Sequence, residues 1–238
     1  MVSVWDTETR LSLATWGASN GDEVGASLAV LKTLDLKGCT VTGDALHCHA
    51  AMASAVRERG AHYAFKLKAN HGPLFSCAQF AFAAADAAGK LKFFESTDDE
   101  HGRHERRRAS IITPPADAPV FPDLSAIGRI EAERSVSGGK LSKTVHYVVL
   151  SKRLSERRLL EVVRGHWSVE NQLHWRLDVV FNEDDARTCK NNGPQNLGVI
   201  RRMALDILRA HPDTRSIARK MKLAAWKKEY FYELFLHL

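Results

Sequence analysis

The chain has 238 residues, of which 45% are hydrophobic, 26% charged and 8% aromatic. That much apolar material supports a packed core and one to two domains, and excludes a mainly disordered chain. The 34 Lys and Arg outnumber the 28 Asp and Glu to leave a formal charge of +6, a modest excess that favours a polyanionic partner such as nucleic acid.

Taken in chain order, the opening Met1-Val2-Ser3-Val4-Trp5-Asp6 has neither the basic start nor the apolar run of a secretory signal, so a cytoplasmic location is expected. Residues 2–5 and 11–16 are β-prone runs joined by a polar turn. Residues 24–36 carry Val24, Leu28, Leu31 and Leu34 at helical spacing. A strand is expected at 39–42, a helix at 47–60 stopped by Gly60, a strand at 62–68, and an alanine-rich helix from the turn at 69–73 to near Gly89. Strand alternating with helix predicts an α/β sheet with parallel members. The character changes after Lys90. Residues 92–95, 103–112, 127–136 and 143–150 read as strands, separated by the proline-rich 114–119 and by Gly138-Gly139. This β-rich block reads as an insertion, because the α/β pattern before it has not closed. From Ser155 onward the chain reads as helices, at 155–163, 167–177, 194–210, 215–223 and 225 to the end. No window approaches about 18 uninterrupted apolar residues, so no membrane span is expected. The cysteines Cys39, Cys48, Cys77 and Cys189 contain no C-x-x-C pair, as in a reduced interior.

Four constellations bear on chemistry. Asp44 follows the strand at 39–42, where a carboxylate either enters the crevice at a strand end or caps the next helix. In the segment 164–187, Trp167, Glu170, His174 and Leu177 fall three and four apart and would share a helix face. A carboxylate on such a face needs a cation, a metal or hydrogen-bond donors; a buried Glu170 paired with Arg164 or His174 is the plainer alternative. Residues 100–108 hold Arg103, Arg106, Arg107 and Arg108, a basic strand edge suited to phosphates; pairing with Glu100 and Glu105 on a solvated face is the commoner outcome for a lone charge run. His47-Cys48-His49 invites a metal reading, but adjacent helical residues diverge by about 100° and no second cluster completes a tetrahedral site.

The segment from Arg164 also resembles the glutamate-bearing helix of DDE transposases, in the ISAs branch of bacterial insertion-sequence transposases. That pattern, R-x-H-W-x-I/V-E-N-x-L-H-W-x-L-D-V-x-F-x-E-D, is matched throughout. Thr42-Gly43-Asp44-Ala45, the Y-x-x-x-x-K-x-N of residues 63–70, His101-Gly102-Arg103 with Glu105 and Arg107, and the N-x-x-x-N-L-x-x-x-R-R ending at Arg202 are similar too. The resemblance implies an α/β, RNase H-like mixed-sheet core flanked by helices, divided as 1–91 (first part of the core), 92–152 (β-rich insertion) and 153–238 (helices carrying the last acid). It implies DNA transposition by metal-dependent strand cleavage and transfer, with Asp44 and Glu170 as catalytic carboxylates and ligands of Mg2+, Mn2+ substituting. Arg164, His166, Trp167 and Asn171 would orient Glu170 or touch DNA; Lys68, Asn70, Arg103, Arg106, Arg107 and Arg108 would touch phosphate. The implied partners are DNA, as transposon ends and target, and a second copy of the chain, with no membrane. The family's first acid sits in an Asp-Gly-Lys motif upstream of the strand matching residues 2–5, so the resemblance implies two of three acids here. Its alternative is a remnant that binds DNA or a partner without catalysis.

Overall fold

Extended backbone forms where β-branched and aromatic residues gather, and the computed structural model, which describes residues 1–18, 21–100, 103–136 and 141–237, pairs those stretches into two sheets. The chain divides into two compact units, Met1–Leu34 with Trp167–Leu238, and Asp35–His166.

The first unit begins with β1 (Val2–Trp5) and β2 (Ser12–Trp16), an antiparallel hairpin in which Val2 faces Trp16 and Val4 faces Ala14. Asp6 closes the turn between them, accepting from the Glu8 N–H at 3.0 Å. Helix α1 (Glu23–Leu31) follows, capped by Asp22, which accepts from the Gly25 N–H at 2.8 Å. It stops five residues short of the expected end, because Lys32 and Thr33 tighten into three-residue turns onto Ala29 and Val30.

The second unit holds a six-stranded sheet. Its members are β3 (Thr40–Gly43), β4 (His62–Leu67), β5 (Phe93–Glu100), β6 (Arg103–Ile112), β7 (Ala126–Val136) and β8 (Ser142–Leu150), in the order β3-β4-β8-β7-β6-β5. β3 and β4 are parallel, joined across α2 (Ala50–Glu58); every other pairing is antiparallel. The sheet is therefore mixed. Between β4 and β5 runs α3 (Gly72–Ala87), and after β8 comes α4 (Glu156–Val169), whose last three residues belong to the first unit.

Strand alternation sorts this sheet into two faces. One bears Ala64, Ala109, Ile111, Ala126, Ile130, Val148 and Leu150, packed under Leu159 and Leu160 of α4. Gly128 lies in that carpet, where a Cβ would stand 2.6 Å from Leu159 Cδ2, so glycine lets the helix lie close. The other face bears Tyr63, Phe65 and Tyr147. Phe75 and Phe82 of α3 meet the Tyr147 ring at 5.6 Å, and Arg129 joins Asp86 at 2.5 Å. A mixed sheet flanked by helices agrees with the RNase H-like core that the resemblance implies.

Back in the first unit, α4 runs directly into a π turn at Glu170–His174 and then α5 (Trp175–Phe181), which ends on the left-handed Asn182. The separate helices expected at 155–163 and 167–177 are thus joined, because nothing in Arg164-Gly165-His166 breaks the backbone hydrogen bonding. Then come α6 (Gly193–Ala210), α7 (Ile217–Trp226), α8 (Lys228–Glu233) and a 3-10 turn at Leu234–His237. Leu173, Leu177, Leu205, Leu208, Ile217, Tyr230 and Leu234 form this unit's core, with Trp5 and Val169 against it. No helix among the described residues is long and apolar enough to cross a membrane.

Candidate active site

β3 ends at Gly43, and Asp44 is the next residue. A Cβ at Gly43 would lie 2.9 Å from the His47 Cβ and 3.2 Å from Phe65 Cδ1, so glycine lets His47 fold back over the strand end. His47 Nδ1 lies 2.8 Å from Asp44 Oδ1, and the Leu46 N–H donates to the same oxygen at 3.1 Å. The Asp44 side chain remains 58% exposed. Partial burial alone would raise its pKa; the hydrogen bonds and charge of His47, with the neighbouring backbone N–H groups, outweigh that and hold the carboxyl below the ordinary range. Asp44 is therefore ionised at neutral pH.

The capping alternative for Asp44 does not apply. α2 starts at Ala50 rather than at the expected residue 47, and its cap is His49, whose Nδ1 accepts from the Met52 N–H at 3.2 Å. Between those two histidines Cys48 is fully buried, its thiol pushed up to about 12 by burial. His47, Cys48 and His49 thus point to a carboxylate, the core and a helix end.

Two further expected residues sit beside this strand end. Asn70 donates from Nδ2 to the Ala45 carbonyl at 3.0 Å, so its amide pins the loop that carries Asp44. Lys68 is exposed one residue past β4. Lys66, which sequence reasoning missed, is half-buried; burial and Lys68 lower its pKa while Asp44 pulls the other way. Its signal lay in the pairing of β3 with β4, which places residue 66 level with residue 44.

The end of α4 is fixed to the same unit. His166 Nδ1 lies 3.0 Å from the hydroxyl of Thr42, two residues before Asp44 on β3. Arg164 Nη1 lies 3.1 Å from Asp98 Oδ2 on β5, an oxygen that Arg107 also reaches at 2.7 Å. His166, Arg164, Asp44, Lys68 and Asn70 all belong to the second unit; Trp167, Glu170 and Asn171 belong to the first.

Glu170 opens the π turn, and the geometry corrects the expected helix face. Leu173 and Leu177 are buried, whereas Glu170, Asn171 and His174 are exposed and Trp167 is half-buried. A π turn fits an extra residue into one turn, which rotates Leu177 away from the face of Glu170. Glu170 is thus no buried carboxylate in need of a counter-charge. The turn is braced from α6: Arg209 donates from Nη2 to the Gln172 carbonyl and from Nη1 to the Arg10 carbonyl at 3.2 Å, with its guanidinium 4.6 Å from the centre of the Trp5 ring. Burial first, then Arg176, brings the pKa of Arg209 down to about 10. Arg202, in the matched tail, is buried as well, joined to Glu183 at 2.8 Å and to the Ser3 hydroxyl at 2.8 Å.

The basic strand is laddered with carboxylates. Arg106 and Arg108 reach Glu95 at 2.7 and 2.6 Å, and Arg107 reaches Asp98 and Glu105 at 2.7 and 2.6 Å. The two arginines hold the Glu95 carboxyl down at about 2. A phosphate at Arg106, Arg107 or Arg108 would have to compete with these partners. The side chain of Arg103, with His101 and Gly102, lies outside the described residues.

Asp44 offers an ionised hard oxygen suited to a divalent cation. Among the described residues, however, no group of three His, Cys, Asp or Glu side chains is placed to hold a metal ion. The donor chemistry of Asp44 fits a divalent cation.

Residues 1–207 match the family model described as the transposase DDE domain. "Putative protein YbfL" of Escherichia coli (strain K12) is 30% identical, across 88% of this chain and 58% of its own length. "H repeat-associated putative transposase YhhI" of the same strain is 29% identical with the same shares, and "Putative transposase YncI" of Escherichia coli O157:H7 is 30% identical across 98% of this chain and 62% of its own. The chain thus spans 58% to 62% of the length of these relatives. On the match over residues 1–207, the chain belongs to the transposase DDE domain family.

Proposed function

We propose that this chain acts in DNA transposition, binding DNA and taking part in metal-dependent cleavage and transfer of its strands, as a member of the ISAs branch. The observation that carries this reading is the exposed, ionised Asp44 at the end of β3, clamped by His47 and lying two residues from the Thr42–His166 contact. Asp44 and Glu170 are the carboxylates that would hold Mg2+, or Mn2+ in its place. A divalent cation there supplies the charge stabilisation that in-line displacement at phosphorus requires.

The chain's own residues do the rest. His47 keeps the Asp44 carboxyl ionised and aimed, and Asn70 fixes the loop behind it through Ala45. Lys68 meets phosphate near the strand end. His166 is held at Thr42, Arg164 is held at Asp98, and Trp167 and Asn171 flank Glu170 in sequence, together forming the DNA-facing run. Arg103, Arg106, Arg107 and Arg108 are assigned to backbone phosphate, a role for the last three that exchanges carboxylate partners for phosphate ones.

A second reading is DNA or partner binding without catalysis. It is favoured by the lack, among the described residues, of any three-ligand cluster. Nicking of supercoiled plasmid in Mg2+ and in Mn2+ separates the two. Nicking by the wild type that disappears in both Asp44→Ala and Glu170→Gln supports the enzymatic reading. A folded chain that binds DNA and nicks in neither cation overturns it in favour of the binding role.

A further inference from the structure

Around Asp44 the sheet face sets two lysines, Lys66 and Lys68, against one carboxylate. β4 and β8 pair with Lys66 opposite Val148 and Leu67 opposite Tyr147. One step on, Lys68 is still extended, at φ −132° and ψ −179°, and comes level with His146. On the other side, Gly43 is level with Phe65, which brings Asp44 level with Lys66. Alternation therefore sets Asp44, Lys66, Lys68 and His146 on one face, at the margin of the apolar area under α4.

The electrostatics agree with that placement. Burial, Lys66 and Lys68 together hold the His146 imidazole below its ordinary pKa, so all three groups feel one another. Lys66 and His146 are both half-buried. Among the described residues of β3, β4, β7 and β8, alternation places no carboxylate on this face besides Asp44. Lys66 and Lys68, two residues apart on one face at the end of β4, repel each other, and half-burying Lys66 adds a desolvation cost. An arrangement that folding disfavours, open at its margin, is suited to an anion that completes it.

We propose that Lys66 and His146, together with Lys68, form a phosphate-binding site beside Asp44 that takes a backbone phosphate of a DNA strand. The ammonium groups supply charge, and the imidazole supplies a directed hydrogen bond to a non-bridging oxygen. The site positions a strand without reading its bases. Its meaning for cleavage rests on the reading of Asp44 given above; its existence as a binding site does not.

The test uses the full chain and a fluorescein-labelled DNA duplex, with affinity followed by anisotropy across a salt series in EDTA. Removing one phosphate contact lowers the slope of log affinity against log salt by about 0.9. Lys66→Gln is expected to show that loss with several unrelated duplexes, Lys66→Arg to restore the slope, and His146→Gln to weaken binding. Because Lys66→Gln relieves repulsion, its melting temperature should hold or rise, which separates lost contact from lost fold. An unchanged slope in folded Lys66→Gln and unchanged affinity in folded His146→Gln overturn the proposal. Asp44→Asn keeps the salt slope in either case, so a failure of nicking there bears on the role of Asp44 and not on the phosphate site.

Discussion

Asp44 owes its state chiefly to His47, helped by the Leu46 N–H. Its carboxyl stays below the ordinary range although burial works against it, because His47 Nδ1 stands 2.8 Å away. A group with a depressed folded pKa stabilises the fold above its unfolded value and loses that contribution as pH falls through the folded one. In His47→Ala the Asp44 titration, followed by its carboxyl 13C shift, should move upward; an exposed pair of this kind contributes at most about 1 kcal/mol, so the fold should survive. An unmoved curve would mean that another group sets the pKa. Cys48 gives the opposite sign. Its thiol rises from an ordinary 9.0 to about 12. Below pH 9 it is neutral folded or unfolded; between 9 and 12 only the unfolded chain ionises, so stability falls as pH rises. Cys48→Ala should flatten that alkaline loss in urea melts at several pH values, and a loss as steep as in the wild type would refute the assignment.

At the scale of elements, the π turn shows how a local irregularity redirects a side chain. Glu170 stands exposed where an unbroken α-helix would set it in line with buried Leu177, and Arg209 braces the turn through the Gln172 carbonyl. Replacing Arg209 by Met leaves that carbonyl without this donor, a loss of about 1–3 kcal/mol in chemical denaturation. If Glu170 acts as proposed, nicking should fall in Arg209→Met while DNA affinity stays within a few-fold; nicking at the wild-type rate would separate the turn from Glu170's role. The carboxylate ladder on β5, β6 and β7 makes a contrasting point. A run of arginines that reads as a phosphate strip is, in the folded sheet, paired across strands with Glu95, Asp98 and Glu133.

At the scale of the whole molecule, a formal charge of +6 favours contact with DNA phosphates, which makes affinity salt-dependent. With several phosphate contacts, affinity should drop by at least about 100-fold between roughly 50 and 200 mM salt, read by the same anisotropy measurement. A flat response would argue against a backbone-contacting surface of any kind on this chain.

What the sequence determined by itself was local and periodic. Strands at 2–5, 103–112 and 143–150 and the helices after Ser155 follow from alternation, helical spacing and turn residues, and the family was legible in the run from Arg164 to Asp184. The tertiary structure alone decided the partners. That His47 rather than a helix N-terminus engages Asp44 depends on where α2 begins, which His49 fixes by capping. That Lys66 stands level with Asp44, and His146 level with Lys68, depends on strand register, and register joins β4 to β8, about 80 residues further on, through hydrogen bonds that carry no local signature. Spacing along a chain reports which residues share an element; only packing reports which elements share a face.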